Sequence, residues 1–327
     1  LHQFSPIKQI PAIARRKYNK KLLYEIILDF SELGIKKKKN KITEELKKQK
    51  TNIRKDLDRL IKISPKRTFG FELEISANKP KAAIAREIRK FSDHMVSVKH
   101  DYAKSNGSSW DIKYDQSVLP GNGFSMEIAS PILMGSSGVK ESKIVLDSIF
   151  NKFQVVAGEP VNGGLHIHHD ASDLIKSVDT VSEVLAKFFP FQEALYQLCS
   201  DYRQENEYCE RLDLDRLKGE DYVLDNRDGF NLSSIGTLEF RMKESVSSTD
   251  PIIRWIKLTQ GVVDAVAVSL ENKSRKFKEK AATVLDAFDK EILLQAKEED
   301  HEDEFLNRLE KYQQARNYSK TILGLAR

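Results

Sequence analysis

The stretch RTFGFELEIS, residues 67–76, has the alternation of apolar and polar side chains that is typical of a β-strand. Its apolar positions are Phe69, Phe71, Leu73 and Ile75. Gly70, Glu72, Glu74 and Ser76 fall between them. Because successive side chains of a strand point to opposite faces of a sheet, one face of this strand is apolar and the other carries two carboxylates. The same segment therefore bears on both the fold and the chemistry.

The segment GGLHIHHD, residues 163–170, shows the same alternation and holds three of the seven histidines of the chain. His166 and His168 share one face of the predicted strand, and two imidazoles about 7 Å apart on one face can serve one ligand. His169 points to the opposite face with Leu165 and Ile167, so we assign it to packing. From these residues alone, a metal site, a general-base site and half-exposed strand histidines all stay open.

Further strands and helices are predicted along the rest of the chain. The strand candidates are WDIKYD at residues 110–115, FSMEIAS at 124–130 and GTLEFRM at 236–242. Helical periodicity covers residues 81–91, 137–153 and 180–200, and helices dominate from Pro251 onwards. Strands dispersed among helices predict an α+β fold, in which the sheet carries helices on one side.

Polar residues of one chemical kind lie on these predicted strands. Besides Glu72, Glu74 and the histidines, the strands carry Glu127 in SMEIASP and the pair Glu239 and Arg241 on one face of LEFRM. Converging carboxylates repel one another unless cations neutralise them. Oxygen ligands with an imidazole suit Mg²⁺ or Mn²⁺, and an arginine beside a metal carboxylate suits a phosphate oxygen. The combination predicts a metal-nucleotide site.

The composition is that of an ordinary globular protein, with 40% hydrophobic and 31% charged residues. The chain has only two cysteines, Cys199 and Cys209, which excludes a disulfide framework and a thiolate zinc cluster. It has no run of about 18 apolar residues, and its first residues, LHQFSPIKQI, lack the apolar centre of a signal peptide. We therefore expect a cytoplasmic protein that does not contact a membrane.

Charge divides the chain near residue 66. Residues 1–66 contain 19 lysines and arginines against 7 acidic residues, a net charge of +12, and the rest of the chain has a net charge of −7. This asymmetry predicts a basic helical N-terminal element, residues 1–66, ahead of a main body, residues 67–327. Helical patterns cover residues 21–33, 41–49 and 52–63, with Thr51 as the cap of the third helix. Such a unit is either a helix-turn-helix that binds DNA or an arm that packs on the body or on a partner.

Seven motifs follow one another along the body: FGFELE, WDIKYDQS, MEIASP, GGLHIHHD, YRQENEYCERL, FNLSSIGTLEFRM and the helix segment WIKL. In this order they resemble the amidoligase family of glutamine synthetase-like carboxylate-amine ligases, which are relatives of glutamate-cysteine ligase. The resemblance runs from about Arg67 to about Leu270 and leaves out residues 1–66 and the tail past residue 275. It implies a glutamine synthetase-like fold, with a curved antiparallel sheet and flanking helices, whose concave face holds ATP and divalent ions.

The resemblance also implies a role for each site residue. The metal ligands are Glu72, Glu74, Glu127, His166 and Glu239, with Asp115 as a further contributor. The catalytic candidates are His168, Arg203 and Arg241, and the candidates for nucleotide binding are His168, Asn231 and Arg241. Arg241 corresponds to the arginine that holds the transferred phosphoryl group. Family members often have Asp-Gly-Ser where this chain has Asp115-Gln116-Ser117, so the turn that places Asp115 departs from the family pattern.

The implied function is ATP-dependent ligation of a carboxylate to an amine, which forms an amide or peptide bond through an acyl-phosphate. The cofactors are ATP and Mg²⁺ or Mn²⁺, and the substrates are small molecules, a peptide or a protein. Two alternatives stay open. One is a phosphagen-kinase-like phosphotransferase on the same fold, and the other is a DNA-binding regulator whose ligase-like body senses a ligand. The basic element then contacts nucleic acid in a regulator, or an acidic protein in a ligase.

Overall fold

The computed structural model describes residues 39–99, 105–116, 118, 123–157, 163–176, 181–217, 228–232, 236–271, 274–296 and 302–325. Contacts within the chain divide it into two units, residues 1–52 and residues 53–327. The helix that the sequence predicts at residues 21–33 lies outside the described residues.

The segment on either side of Thr51 forms one helix, where the sequence predicted two. Helix α1 runs without a break over Lys39–Leu60, so Thr51 lies inside it and is not an N-cap. The prediction of separate helices on either side of Thr51 is wrong, and with it the turn that a helix-turn-helix would need there. The physical reason is that no glycine or proline interrupts KKQKTNIRK, so the backbone continues as a helix.

The end of α1 belongs to the larger unit. Ile53, Leu57 and the following Ile61 are buried in its hydrophobic core. The division between the units therefore falls after Asn52, whereas the charge pattern placed a boundary near residue 66.

The nine strands found among the described residues form one sheet. In chain order they are β1 (Thr68–Ala77), β2 (Met95–Val98), β3 (Ser109–Lys113), β4 (Phe124–Ala129), β5 (Leu133–Met134), β6 (Val155–Ala157), β7 (Gly164–Asp170), β8 (Phe230–Leu232) and β9 (Thr237–Glu244). The order across the sheet is β2-β3-β4-β1-β7-β9-β8, and β5 and β6 also pair with β1. The described pairs are antiparallel, except that β2 and β3 are parallel.

Helices flank this open sheet. After α1 they are α2 (Lys81–Ile88), α3 (Gly135–Lys152), α4 (Ser172–Ile175), α5 (Val181–Tyr196), α6 (Asp201–Gln204), α7 (Leu214–Leu217), α8 (Thr249–Leu270), α9 (Ser274–Ala296) and α10 (Glu302–Ile322). The apolar sides of β1, β7 and β9 share one hydrophobic core with α3, α5 and α8. Within it, Phe188 of α5 packs against Phe230 and Phe240 of the sheet, with ring centroids 5.8 and 6.2 Å apart. The molecule is a mixed α and β protein with a mostly antiparallel open sheet.

The sequence predicted the long elements and missed the short ones. Strands β1, β3, β4, β7 and β9 are confirmed, as are helices α2, α3 and α5 and the helical tail. Strands β2, β5, β6 and β8 were not predicted, because two to four residues show too little alternation to identify a strand. No helix in the described part of the chain combines the length and the hydrophobicity needed to cross a membrane.

Candidate active site

Strand register aligns five polar residues on the sheet face that bears the alternate, polar positions. Glu72 of β1 lies opposite His166 of β7. Two residues further along β7, His168 lies opposite Glu239 of β9, which in turn lies opposite Asn231 of β8. Side chains of directly opposed residues start from Cβ atoms about 4.5–5.5 Å apart. Residues that are distant in sequence therefore become neighbours through backbone pairing of four strands.

The side chains at the centre of this face converge on a small volume. Glu72 Oε2 lies 3.5 Å from His166 Nδ1 and 3.8 Å from His168 Nε2. Glu239 Oε1 lies 3.6 and 3.9 Å from the same two nitrogen atoms. One ligand atom each of Glu72, His168 and Glu239 lies within 4.8 Å of the other two, an arrangement that could hold a metal ion. The resemblance gave the metal imidazole to His166, and the structure brings both imidazoles against the same carboxylates.

The chemistry of these donors fits a divalent cation. His166 Nδ1 and His168 Nε2 are buried and have no hydrogen-bond partner among the described residues. Their contacts are with the carboxylates of Glu72 and Glu239 at 3.5–3.9 Å, longer than a good hydrogen bond, so a cation that binds both kinds of group is favoured here. Carboxylate oxygens with a neutral imidazole are suitable ligands for Mg²⁺ or Mn²⁺.

Two arginines border the carboxylates. Arg241 donates from Nη1 to Glu239 Oε1 at 2.5 Å, and Arg203 of α6 donates from Nη2 to the carbonyl oxygen of Arg241 at 2.6 Å. Arg203 is only 2% exposed, and the Nε atoms of both arginines have no partner in the described part of the chain. Asn231 Nδ2 donates to the second oxygen of Glu239, at 3.2 Å. The remaining guanidinium donors suit anionic oxygens of a ligand.

Glu74 and Glu127 extend the site towards β3. They lie directly opposite each other on β1 and β4. Glu74 Oε2 accepts a hydrogen bond from the backbone N–H of Gly164 at 2.6 Å. Glu127 Oε1 accepts one from Lys113 Nζ at 2.7 Å, and Lys113 lies opposite Glu127 in the pairing of β3 with β4. This end of the site therefore has a positive charge of its own.

Lys113 is a site residue that sequence reasoning missed. Its signal lay in WDIKYD, where alternation puts Lys113 on one face with Asp115. The ion pair with Glu127, however, depends on the register of β3 against β4, which the sequence does not reveal. Asp115 itself follows the end of β3 and is half-buried, and its charge acts on Glu74. It is not part of the group formed by Glu72, His168 and Glu239.

Burial and neighbouring charges shift the pKa values of these groups. Burial, followed by the charge of Glu72, raises the pKa of Glu127 to about 7, although Lys113 opposes this shift. Burial also raises the pKa of Glu74. Burial alone would raise the pKa of Glu72, but its contacts with His166 and His168 lower it well below the usual value. The pKa of His168 is raised, because Glu72 and Glu239 outweigh the opposing effect of burial.

His169 lies on the core side of the sheet, as alternation predicted. It is fully buried, its Nε2 lies 2.8 Å from Thr259 Oγ1, and its ring meets that of Phe240 edge to face at 5.8 Å. Burial lowers the pKa of His169 well below the usual value, so this imidazole is a neutral packing residue. Cys199 and Cys209 are also buried, and burial raises the pKa of both thiols, which makes neither a good nucleophile.

The sequence model of a family described as "putative amidoligase enzyme" matches residues 65–228, half of the 327-residue chain. This is the family that the ordered motifs resemble. No curated protein matches the chain. The matched range contains β1 to β7 and helix α6, and it ends before β8 and β9. The positions of Asn231, Glu239 and Arg241 beside the matched residues therefore come from strand pairing alone.

Proposed function

The chain belongs to the amidoligase family, and from this premise we propose that it is an ATP-dependent ligase that joins a carboxylate to an amine. The observation that carries the proposal is the sheet face on which carboxylates, imidazole nitrogens without hydrogen bonds among the described residues and two arginines converge. In this proposal the fold is glutamine synthetase-like, and that face is its ligand-binding face. Its mostly antiparallel strands and its flanking helices support this comparison.

Glu72, His168 and Glu239 would hold a divalent ion, with His166 beside them. When bound, Mg²⁺ or Mn²⁺ supplies positive charge that neutralises phosphate oxygens. The protein contributes a prearranged set of ligands: Asn231 and Arg241 each bind one oxygen of Glu239 and so orient its carboxylate. Groups that hold a ligand in one orientation support metal affinity, and their loss typically costs about 10–100-fold.

Arg241 and Arg203 would bind the anionic oxygens of the nucleotide or of the carboxylate substrate. Arg203 is fixed by its hydrogen bond to the Arg241 carbonyl oxygen, so the two guanidinium groups are held by the same stretch of β9. A planar guanidinium binds phosphate or carboxylate oxygens through parallel hydrogen bonds. The arginines thereby place a phosphoryl group beside the carboxylate that receives it.

The proposed reaction solves a leaving-group problem. A free carboxylate is a poor electrophile, because attack by an amine would have to expel oxide. Transfer of the γ-phosphoryl group of ATP to a carboxylate oxygen releases ADP and forms an acyl-phosphate. The amine nitrogen then attacks the acyl carbon, the carbon–oxygen bond to phosphate breaks, and the amine gives up a proton. A buried site favours amine over water in this second step.

The direct test is a panel of carboxylates and amines incubated with ATP and Mg²⁺ or Mn²⁺. We expect ADP release that requires both substrates and a product whose mass is that of carboxylate plus amine minus water. Glu239→Gln should abolish turnover. Glu279→Gln, which changes a carboxylate that is 63% exposed on α9, is the matched control and should retain it.

A separate measurement removes the dependence on finding the substrates. Isothermal titration should detect binding of ATP to the wild-type protein in the presence of Mn²⁺, and weaker binding to Glu239→Gln. If the folded wild-type protein binds no ATP at millimolar Mn²⁺, the proposed function is wrong.

A further inference from the structure

We propose that the Lys113 ammonium group is a built-in cation that fills one cation position of this site, so that divalent ions bind only at the end formed by Glu72, His168 and Glu239. The inference rests on the metal-binding part of the proposed function and refines it. It removes Glu74 and Glu127 from the set of metal ligands and gives Glu127 a different partner, the Lys113 ammonium group.

The end of the site that contains Lys113 already has its charges compensated. Glu74 and Glu127 face each other across β1 and β4, and both are largely buried. Two carboxylates in such a place need a cation nearby. Lys113 Nζ supplies it at 2.7 Å from Glu127 Oε1, and the Lys113 side chain is only 10% exposed. One oxygen of Glu74 is also bound to the Gly164 N–H group.

The other end of the site has the opposite character. Glu72 and Glu239 surround imidazole nitrogens that have no hydrogen-bond partner among the described residues. The donor atoms of Glu72, His168 and Glu239 are close enough together to bind one ion. Among the contacts that the structure describes, neither a lysine nor an arginine pairs with Glu72. Arg241 pairs with Glu239, but its charge is delocalised over a planar guanidinium, unlike the compact charge of an ammonium group. Binding of a divalent ion is therefore most favourable at this end.

An ammonium group and a divalent ion exclude each other at Glu127. A metal bound to Glu127 Oε1 would lie next to Lys113 Nζ, and the two like charges would repel in a buried, poorly screened environment. The pairing of β3 with β4 fixes the backbone of Lys113 opposite Glu127, and turning Nζ away into water would break an ion pair whose lysine side chain is only 10% exposed. Removing its charge should therefore open a second cation position between Glu127 and Glu74.

The experiment counts Mn²⁺ ions bound per chain in the absence of nucleotide and substrate. Free Mn²⁺ is read from its electron paramagnetic resonance signal during a titration of metal-free protein. We expect Lys113→Met to bind one Mn²⁺ more than the wild type, and Lys113→Arg, which keeps the charge, to bind the wild-type number. The double variant Lys113→Met/Glu127→Gln should return to the wild-type number, because the added position has lost its carboxylate.

Glu127→Gln provides an independent decision should Lys113→Met not fold. We expect Glu127→Gln to keep the wild-type number of ions with less than a threefold change in affinity. Loss of an ion from Glu127→Gln, or no gain in a folded Lys113→Met protein, overturns the inference. Because no ATP is present, either result leaves the ligase proposal standing. Failure of the wild-type protein to bind any Mn²⁺ overturns the inference together with the metal role in the proposed function.

Discussion

Glu127→Gln should change how the stability of the metal-free protein depends on pH. The folded structure raises the pKa of the Glu127 carboxyl from 4.5 to about 7, through burial and then through the charge of Glu72. The folded protein thus holds this proton more tightly than the unfolded chain does. A group of this kind contributes stability that is fully present below the unfolded pKa and is lost as the pH rises through the folded pKa.

The size of the effect follows from the shift in pKa. A pKa change of one corresponds to about 1.36 kcal/mol. The change at Glu127 therefore corresponds to about 3 kcal/mol of folding stability, which is lost between about pH 4.5 and pH 7. Glutamine does not titrate, so this loss is absent from the variant. The unfolding free energy of Glu127→Gln minus that of the wild type should therefore rise by about 3 kcal/mol over this range. The ion pair with Lys113 forms only when the Glu127 carboxyl is ionised, so its loss in the variant is already contained in this pKa shift.

The assay is thermal and urea unfolding in EDTA at half-unit steps from pH 4.5 to pH 8. For a unit of this size, about 3 kcal/mol corresponds to a relative change in Tm of about 6–12 °C. Glu279→Gln is the control for the same substitution at a glutamate whose side chain is 63% exposed. A flat difference curve for Glu127→Gln would refute the placement of this carboxylate in a buried, negatively charged site.

Three further outcomes test other parts of the structure. His169→Ala should cost about 2–4 kcal/mol of stability, because His169 fills a core position and contacts Thr259, while Mn²⁺ affinity measured below the lowered Tm stays unchanged. Arg67→Met should lower the free energy of unfolding by about 3 kcal/mol or slightly less. It breaks an ion pair in which the Arg67 side chain is 10% exposed and that of Asp264 is 24% exposed. It should likewise leave Mn²⁺ binding intact, and a wild-type Tm would contradict the structural role of this ion pair. The pKa of His168 is raised, and an imidazole that binds a metal must be neutral. The Mn²⁺ affinity of the wild type should therefore fall about tenfold per pH unit below that pKa. His168→Gln should lack this fall.

The candidate site divides into residues that alternation identified and a residue that it did not. Glu72, Glu74, His166 and His168 were recognised because two polar residues of one kind on one strand face stand out against an apolar opposite face. Their association with Glu239 and Arg241 was inferred from the shared chemistry of the strand faces and from the order of the family motifs, because the strand pairing itself cannot be read from distant segments. Lys113 carried no comparable signal, because a single lysine on a strand is usually solvated.

In the N-terminal segment, a local sequence pattern predicted a feature that the structure does not have. The basic charge of the segment is plain in the sequence, but the sequence also predicts an N-cap at Thr51, because threonine is a common cap residue. Inside α1 the same threonine is simply helical. Ile53 and Leu57 pack into the core of the larger unit, so that unit begins at residue 53. The change in charge lies further along the chain, near residue 66.

By itself the sequence determined which side chains share a face of each strand, and the tertiary structure determined which residues of different strands meet. Alternation along a strand is a local property of the backbone, so Phe71 and Glu72 had to point in opposite directions wherever the strand lay. Register is a property of two strands, and a shift by one residue would exchange every face. Pairing of Glu72 with His166, of His168 with Glu239 and of Lys113 with Glu127 brought dispersed charges together. Burial by the rest of the chain then shifted their pKa values, because a charge loses its hydration only when other residues cover it.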